Sequence, residues 1–160
     1  TQSRGFEAEL TYVYKNKLNA IFNISKFNSV FKQEFDENGR KHFLYNRQLP
    51  NEPFFTMNGS VQYRLDNIVQ QKSILNLYYN TGYVAPFSTV WIDSDEWFTT
   101  NTQFYHDFGA SYQTPKRNII VSLDLKNAFN SEIYDNFAVQ KPGRAIYLKI
   151  NYMLNNIKLK

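Results

Sequence analysis

From Ile146 to Tyr152 the chain alternates: Ile146, Leu148, Ile150 and Tyr152 are apolar or aromatic, and Tyr147, Lys149 and Asn151 stand between them. A period of two sends these sets to opposite faces of a β-sheet. Six earlier segments repeat the pattern. The first sets Phe6, Ala8, Leu10, Tyr12 and Tyr14 against Glu7, Glu9 and Thr11, and the second sets Leu18, Ala20, Phe22 and Ile24 against Asn19, Asn23 and Ser25. In the third, Phe55, Met57, Gly59, Val61, Tyr63 and Leu65 oppose Thr56, Asn58, Ser60, Gln62 and Arg64. The fourth carries Leu75, Leu77, Tyr79 and Tyr83 opposite Asn76 and Asn80. The fifth alternates Phe104, His106, Phe108, Ala110 and Tyr112 with Asp107, Gly109 and Ser111, and the sixth alternates Ile119, Val121, Leu123 and Leu125 with Ser122, Asp124 and Lys126. No helical period of useful length competes. The pattern predicts an all-β chain, an antiparallel up-and-down meander of about seven strands.

The connections alternate as well. Lys15-Asn16-Lys17, the stretch from Asp66 to Gln71, and Thr114-Pro115-Lys116-Arg117 are short, whereas Gln33 to Pro53, Ala85 to Asn101 and Asn127 to Gly143 are long. In a meander, successive connections fall at opposite ends of the sheet, so the short turns share one end and the long loops the other. Membrane β-barrels sort their connections this way. Tyr12, Tyr14, Tyr63, Tyr112 and Tyr152 close the apolar face at the short-turn end, as an interfacial aromatic band does. Phe6, Phe55 and Phe104 open it at the other. Sheets in general favour aromatics, which gives the blander account of the same residues.

Composition leaves the destination of that face open. The 160 residues include 14 Phe, 12 Tyr and no Cys. Mean hydropathy is −0.53, and no apolar run approaches the ~20 residues of a membrane helix. Alternating barrel strands average to neutral and escape such a scan. Without cysteine there is no disulfide and no thiolate metal site. The net charge of +4 comes from scattered residues, with no basic stripe of the kind that binds nucleic acid.

Catalytic patterns are missing. The two histidines, His42 and His106, stand apart, and no phosphate-binding loop, nucleophile elbow or zinc-protease motif occurs. A lone histidine is more often structural than a ligand, so neither metal nor cofactor is expected. Asp93, Asp95 and Glu96, between Trp91 and Trp97, read as an acidic aromatic loop rather than a cation site. Exposed aromatics and cations of the long loops are the candidate ligand contacts: Arg40, Tyr45, Arg47, Trp91 and Trp97.

Several stretches resemble one family. Arg4-Gly5-Phe6-Glu7-Ala8-Glu9-Leu10 is similar to an R-G-hydrophobic-E-x-E strand late in the barrels of TonB-dependent receptors of the Gram-negative outer membrane. Leu49-Pro50-Asn51-Glu52-Pro53 resembles the family's P-x-x-P lead into a hairpin. Leu125-Lys126-Asn127-Ala128-Phe129-Asn130 with Tyr134 resembles its N-L-F-N…Y stretch, with Ala128 in place of leucine. Pro142-Gly143-Arg144 matches the P-G-R opening of the last strand, and Lys141, Gly143, Ile146 and Leu148 fall at the spacing of the signal read by the barrel-assembly machinery. These stretches fall in order along essentially the whole chain. It departs from the family by running on past Tyr152 through Asn155 to Lys160.

The resemblance implies a piece of wall from a plugged barrel of about 22 strands, so this chain is expected to hold the last strands of a larger protein or one piece of a barrel completed by another chain. It further implies uptake of a scarce nutrient such as a ferric siderophore or haem. Long loops and a plug capture the ligand, and the TonB energy-coupling complex acts on the plug. Outer-membrane lipid and the barrel-assembly machinery are the other partners. The residues alone leave other classes open: a complete small outer-membrane barrel serving as adhesin or structural protein, and a soluble lipocalin-like barrel holding a small apolar ligand. An enzyme is the weakest reading.

Overall fold

A computed structural model describes residues 1–90, 99–135 and 139–154. Seven strands form one antiparallel sheet in chain order: β1 Gln2–Tyr14, β2 Leu18–Val30, β3 Phe55–Asp66, β4 Ile74–Val84, β5 Gln103–Gln113, β6 Ile119–Lys126 and β7 Ala145–Tyr152. Every expected strand is present. The ladder between β1 and β2 runs further than the alternation does, to Gln2 opposite Val30. Lys26 stands on the apolar face between Phe6 and Phe55 and breaks the pattern there, while backbone pairing continues past it.

The register gathers the alternating sets onto single faces. One row passes through all seven strands as Tyr12, Ala20, Val61, Tyr79, Phe108, Leu125 and Ile146. Its neighbour on the other face runs Val13, Asn19, Gln62, Tyr78, Gly109, Asp124 and Tyr147. A slip of one residue at any hairpin would reverse the faces beyond it. Each strand pairs with its sequence neighbours, so β1 and β7 are the edges of the described sheet.

The short turns carry the register. Lys15 and Asn16 both adopt left-handed backbone, at φ 47° and 52°, and the Lys17 N–H donates to the Tyr14 carbonyl at 2.9 Å. That conformation matches the twist of the flanking strands. Asn67, at φ 62°, accepts the Lys72 N–H on its side-chain oxygen at 2.6 Å. Arg117, at φ 57°, donates its N–H to the Thr114 carbonyl at 2.8 Å. The described residues of the long connections, 31–54, 85–90, 99–102, 127–135 and 139–144, belong to the opposite end.

Each strand glycine faces an aromatic residue across the ladder. Gly5 pairs with Phe27, Gly59 with Phe22, Gly82 with Tyr105 and Gly109 with Tyr78. A Cβ at Gly109 would collide with the Tyr78 ring, and one at Gly82 would lie 2.5 Å from the Tyr105 ring. At Gly5, Gly82 and Gly109 the aromatic ring thus fills the space that the glycine vacates. Tyr78 cannot swing aside freely, because its hydroxyl donates to the Asp124 carboxylate. Gly109→Ala is therefore expected to cost about 1–3 kcal/mol through overpacking. Gly59→Ala meets the Thr81 methyl at 3.2 Å and the Phe22 ring at an ordinary 3.9 Å, and should change stability by less than about 1 kcal/mol. Urea unfolding of the two variants separates them.

Candidate lipid-facing surface and polar-face recess

Among the described residues, buried hydrophobic side chains are confined to Ile74, Ala85 and Phe87, all near strand ends. No second layer covers the apolar face of the sheet among the described residues. Leu10 is 66% exposed, Ile146 70%, Leu148 68% and Ile150 65%. Soluble monomers rarely leave so large a contiguous apolar surface in water.

The aromatic residues on this face follow a rule. Tyr12 stands level with Val61, two positions short of Tyr63; Tyr63 stands level with Ala110, two short of Tyr112; Tyr112 stands level with Ile150, two short of Tyr152. Counted from Tyr12, these four tyrosines therefore advance one residue per strand toward the short turns, whereas Tyr14 and Phe6 stand level with Tyr63 and Phe55. With a rise near 3.4 Å and a strand spacing near 4.8 Å, a level band implies strands tilted by about 35°, within the range of membrane barrels. Phe6 and Tyr14, Phe55 and Tyr63, and Phe104 and Tyr112 are each eight positions apart. Eight residues span about 27 Å along a strand, or about 22 Å at that tilt, close to the ~25 Å apolar band of an outer-membrane barrel.

Polar groups on the apolar face are satisfied locally or sit at its margins. His106 Nδ1 lies 2.6 Å from the Tyr79 hydroxyl and 3.4 Å from Thr81 Oγ1. Phe104 and Phe129 pack edge-on against its ring, at 4.3 and 5.1 Å. This gives His106 a structural role. At the short-turn margin the Lys15 ammonium lies 5.1 Å from the centroid of the Tyr14 ring.

The opposite face is polar and internally bonded. Lys126 Nζ meets Asp107 Oδ2 at 3.0 Å, and Asp107 Oδ1 accepts the Asn127 N–H at 2.8 Å. Asn127, 4% exposed, then closes the third long connection. Its side-chain oxygen accepts the Ser131 N–H at 2.9 Å, and its amide donates to the Ser131 carbonyl at 2.7 Å. Asn130 Oδ1 accepts the Arg144 N–H at 2.9 Å and occupies the space a Cβ at Gly143 would need, 2.5 Å away. The N-A-F-N and P-G-R stretches, separate in sequence, are thus one contact.

That connection folds back over the polar face, where the Tyr134 N–H donates to Gln103 Oε1 at 2.7 Å. Two recesses flank it. One of about 500 Å³ includes Thr56, Asn58, Gln103, Tyr105, Tyr134 and Lys141 in its wall. The other, about 300 Å³, shares Tyr105, Ile133 and Lys141 with it and reaches Lys126 and Tyr147. Tyr134 also donates to Glu132 at 3.1 Å. That bond, with some desolvation, holds the exposed phenol above its ordinary 10.0. The bond persists at neutral pH and is lost as pH rises through the raised value. Glu132→Gln should move the phenol back down in an ultraviolet titration.

The sequence-derived ligand candidates do not converge on these recesses. Arg40 is exposed at the end of a small hairpin closed by Phe35 and Lys41. Arg47 donates from Nε to the Phe43 carbonyl at 3.0 Å, and Tyr45 lies under Lys32, whose Nζ is 6.0 Å from its ring centroid. None of these three lines either recess. Trp91 and Trp97, with Asp93, Asp95 and Glu96 between them, fall outside the described residues. Tyr12, Tyr14, Tyr63 and Tyr152 are exposed on the apolar face, and Tyr112 is half-buried there. Ile146 and Leu148 face the same way on edge strand β7, and Gly143 precedes it, held against Asn130.

The chain matches no protein-family model, and no curated protein matches it.

Among the described residues no three His, Cys, Asp or Glu side chains gather into a metal-binding cluster. Gln103 is the residue that sequence reasoning passed over. It is polar, precedes the alternating run of β5, and gains its place only when the third connection folds back onto it.

Proposed function

We propose that this chain is a section of transmembrane β-barrel wall, the C-terminal strands of a TonB-dependent outer-membrane transporter of a Gram-negative bacterium. One observation carries the membrane part: an uncovered apolar face edged at the short-turn end by Tyr12, Tyr63, Tyr112 and Tyr152, whose positions advance one residue per strand. Lipid covers that face at no cost in exposed apolar area, and water does not. The transporter part rests on the ordered sequence resemblance, two of whose stretches, N-A-F-N and P-G-R, meet at the long-loop end.

In this reading the polar face looks into a wet, plugged lumen, and the long connections face outward to meet ligand. Edge strands β1 and β7 pair with strands supplied by the rest of the barrel, because open hydrogen-bonding edges are not tolerated in lipid. The wall does no bond chemistry. Its work is to hold the recess, the loops and the assembly signal.

Fractionation of cells expressing the full-length protein tests the reading. It should sediment with the outer membrane, require detergent for extraction, and migrate faster on gels before boiling than after. A preparation that is monodisperse without detergent contradicts it. A plug domain encoded upstream separates the transporter from a small adhesin barrel.

A further inference from the structure

The surplus cations, scattered along the sequence, gather at one end of the fold. The three short turns, residues 15–17, 67–73 and 114–118, carry Lys15, Lys17, Lys72, Lys116 and Arg117 and no acid. Of the long connections, the first and third hold equal numbers of acids and cations, and the second holds acids alone. Neighbouring short turns stand two strands apart, about 10 Å, which is close to one Debye length at physiological salt. Their fields therefore add. Lys72 of the second turn and Arg117 of the third line one recess of about 380 Å³, and the acid in its wall, Asp66, is taken by Arg64 at 2.8 Å. Among the described residues neither Lys72 nor Arg117 has a carboxylate partner.

We infer that this rim selects anionic phospholipid, its cations drawing in the phosphate groups of the adjoining leaflet, an inference that rests on the membrane reading of the apolar face. Two features favour a lipid over a soluble phosphodiester or an acidic protein. The Lys15 ammonium lies 5.1 Å from the centroid of the Tyr14 ring, so one of these cations stands at the tyrosine band itself, at the depth of a headgroup. Just inside the band, the apolar face has a hollow of about 460 Å³. Tyr63, Leu77, Ala110 and Leu123 form one register row of its wall, and the short Ala110 side chain opens it between two leucines. Ala110 lies four residues from Thr114, about 14 Å along the strand. An acyl chain seated in the hollow thus brings its phosphate to the level of the turns. A zwitterionic lipid fills the hollow equally well but carries an ammonium group beside its phosphate, so the cations discriminate by net charge.

Quenching in reconstituted vesicles tests this. The full-length protein carries one fluorophore at Leu148→Cys, opposite Leu123 and outside the hollow. The vesicles are phosphatidylcholine with brominated phosphatidylglycerol or, for comparison, brominated phosphatidylethanolamine. The anionic lipid should associate about five-fold more strongly or better, the effect of a single basic residue near an anionic surface, and high salt should erase most of the difference. Combining Lys15→Asn, Lys17→Gln, Lys72→Asn, Lys116→Gln and Arg117→Asn should bring the two lipids to parity. Asparagine suits the left-handed backbone at 15, 72 and 117, and heat-modifiable migration verifies folding. Ala110→Phe fills the hollow and should weaken both lipids alike. The inference is overturned if the parent does not distinguish the lipids, if the preference survives in the folded neutralised variant, or if Ala110→Phe leaves both lipids unaffected. It is equally overturned if soluble glycerol 3-phosphate abolishes the preference, which makes the site one for free phosphate, or if polyglutamate does so, which makes it one for an acidic protein. A protein whose β7 labels still alternate in lipid contact but which shows no preference defeats this inference alone, whereas a detergent-free soluble protein defeats the membrane reading beneath it.

Discussion

Leu10→Arg is expected to lower the unfolding free energy of the full-length protein in lipid vesicles by about 2–4 kcal/mol, the cost of an arginine at the bilayer midplane of a barrel. Thr11→Arg, one position on, should stay within about 0.5 kcal/mol, as a substitution on a solvated surface does. The contrast follows from the period of two. Leu10 lies midway between Phe6 and Tyr14 on the apolar face, in a row with Phe22 and Gly59. Thr11 pairs with Ile21 on the polar face, where an added cation finds water and nearby Glu9. Equal losses at the two positions would mean that neither face meets lipid. Urea titration after reconstitution measures both.

Asn127→Ala is expected to cost about 3 kcal/mol, for reasons independent of the membrane. The change removes two hydrogen bonds to Ser131, at about 1 kcal/mol each. It also leaves a Cβ-bearing residue without local polar support at φ 46°, a conformation that costs about 1–2 kcal/mol outside glycine and asparagine. Asn127→Gly removes the same bonds but not the backbone freedom, and should be milder by about 1 kcal/mol. If glycine proves as harmful as alanine, the backbone contribution is wrong and the hydrogen bonds carry the whole effect. Loss of this hinge should also loosen the third connection and increase protease cleavage between Ser131 and Lys141.

The strands were legible because alternation runs almost unbroken where one face is uniformly apolar. Loop lengths then placed all short turns at one end, and the structure keeps them there. Legibility failed where a local exception intervened. Lys26 interrupts the apolar face of β2, so the alternation stops at Ile24 while the ladder continues to Val30. The glycine–aromatic pairs were invisible for a different reason: each partner sits on a neighbouring strand, and only the register brings Tyr78 onto Gly109 or Phe27 onto Gly5. The one-residue advance of the tyrosines is likewise a property of register rather than of sequence.

The candidate site was less legible still. Arg40, Tyr45 and Arg47 drew attention as cations and aromatics in a long loop, yet Arg47 already donates to a carbonyl of its own loop and Tyr45 packs under Lys32. Gln103 carried no signal at all. Its place is set by the Tyr134 N–H, which reaches it from the third connection, a tertiary contact that no local pattern encodes. Asn127 and Asn130 drew attention only through the N-A-F-N resemblance; their positive φ emerges from the structure, in keeping with the tolerance of asparagine for left-handed backbone.

The central claim is that the apolar face of this sheet contacts lipid. The chain contains no cysteine, so single cysteines introduced from Ala145 to Tyr152 can each carry one fluorophore. Quenching by spin-labelled lipid in reconstituted vesicles should then alternate along β7, strong at positions 146, 148 and 150 and weak at 147, 149 and 151. Uniform quenching, or strong quenching at the polar set instead, would contradict it.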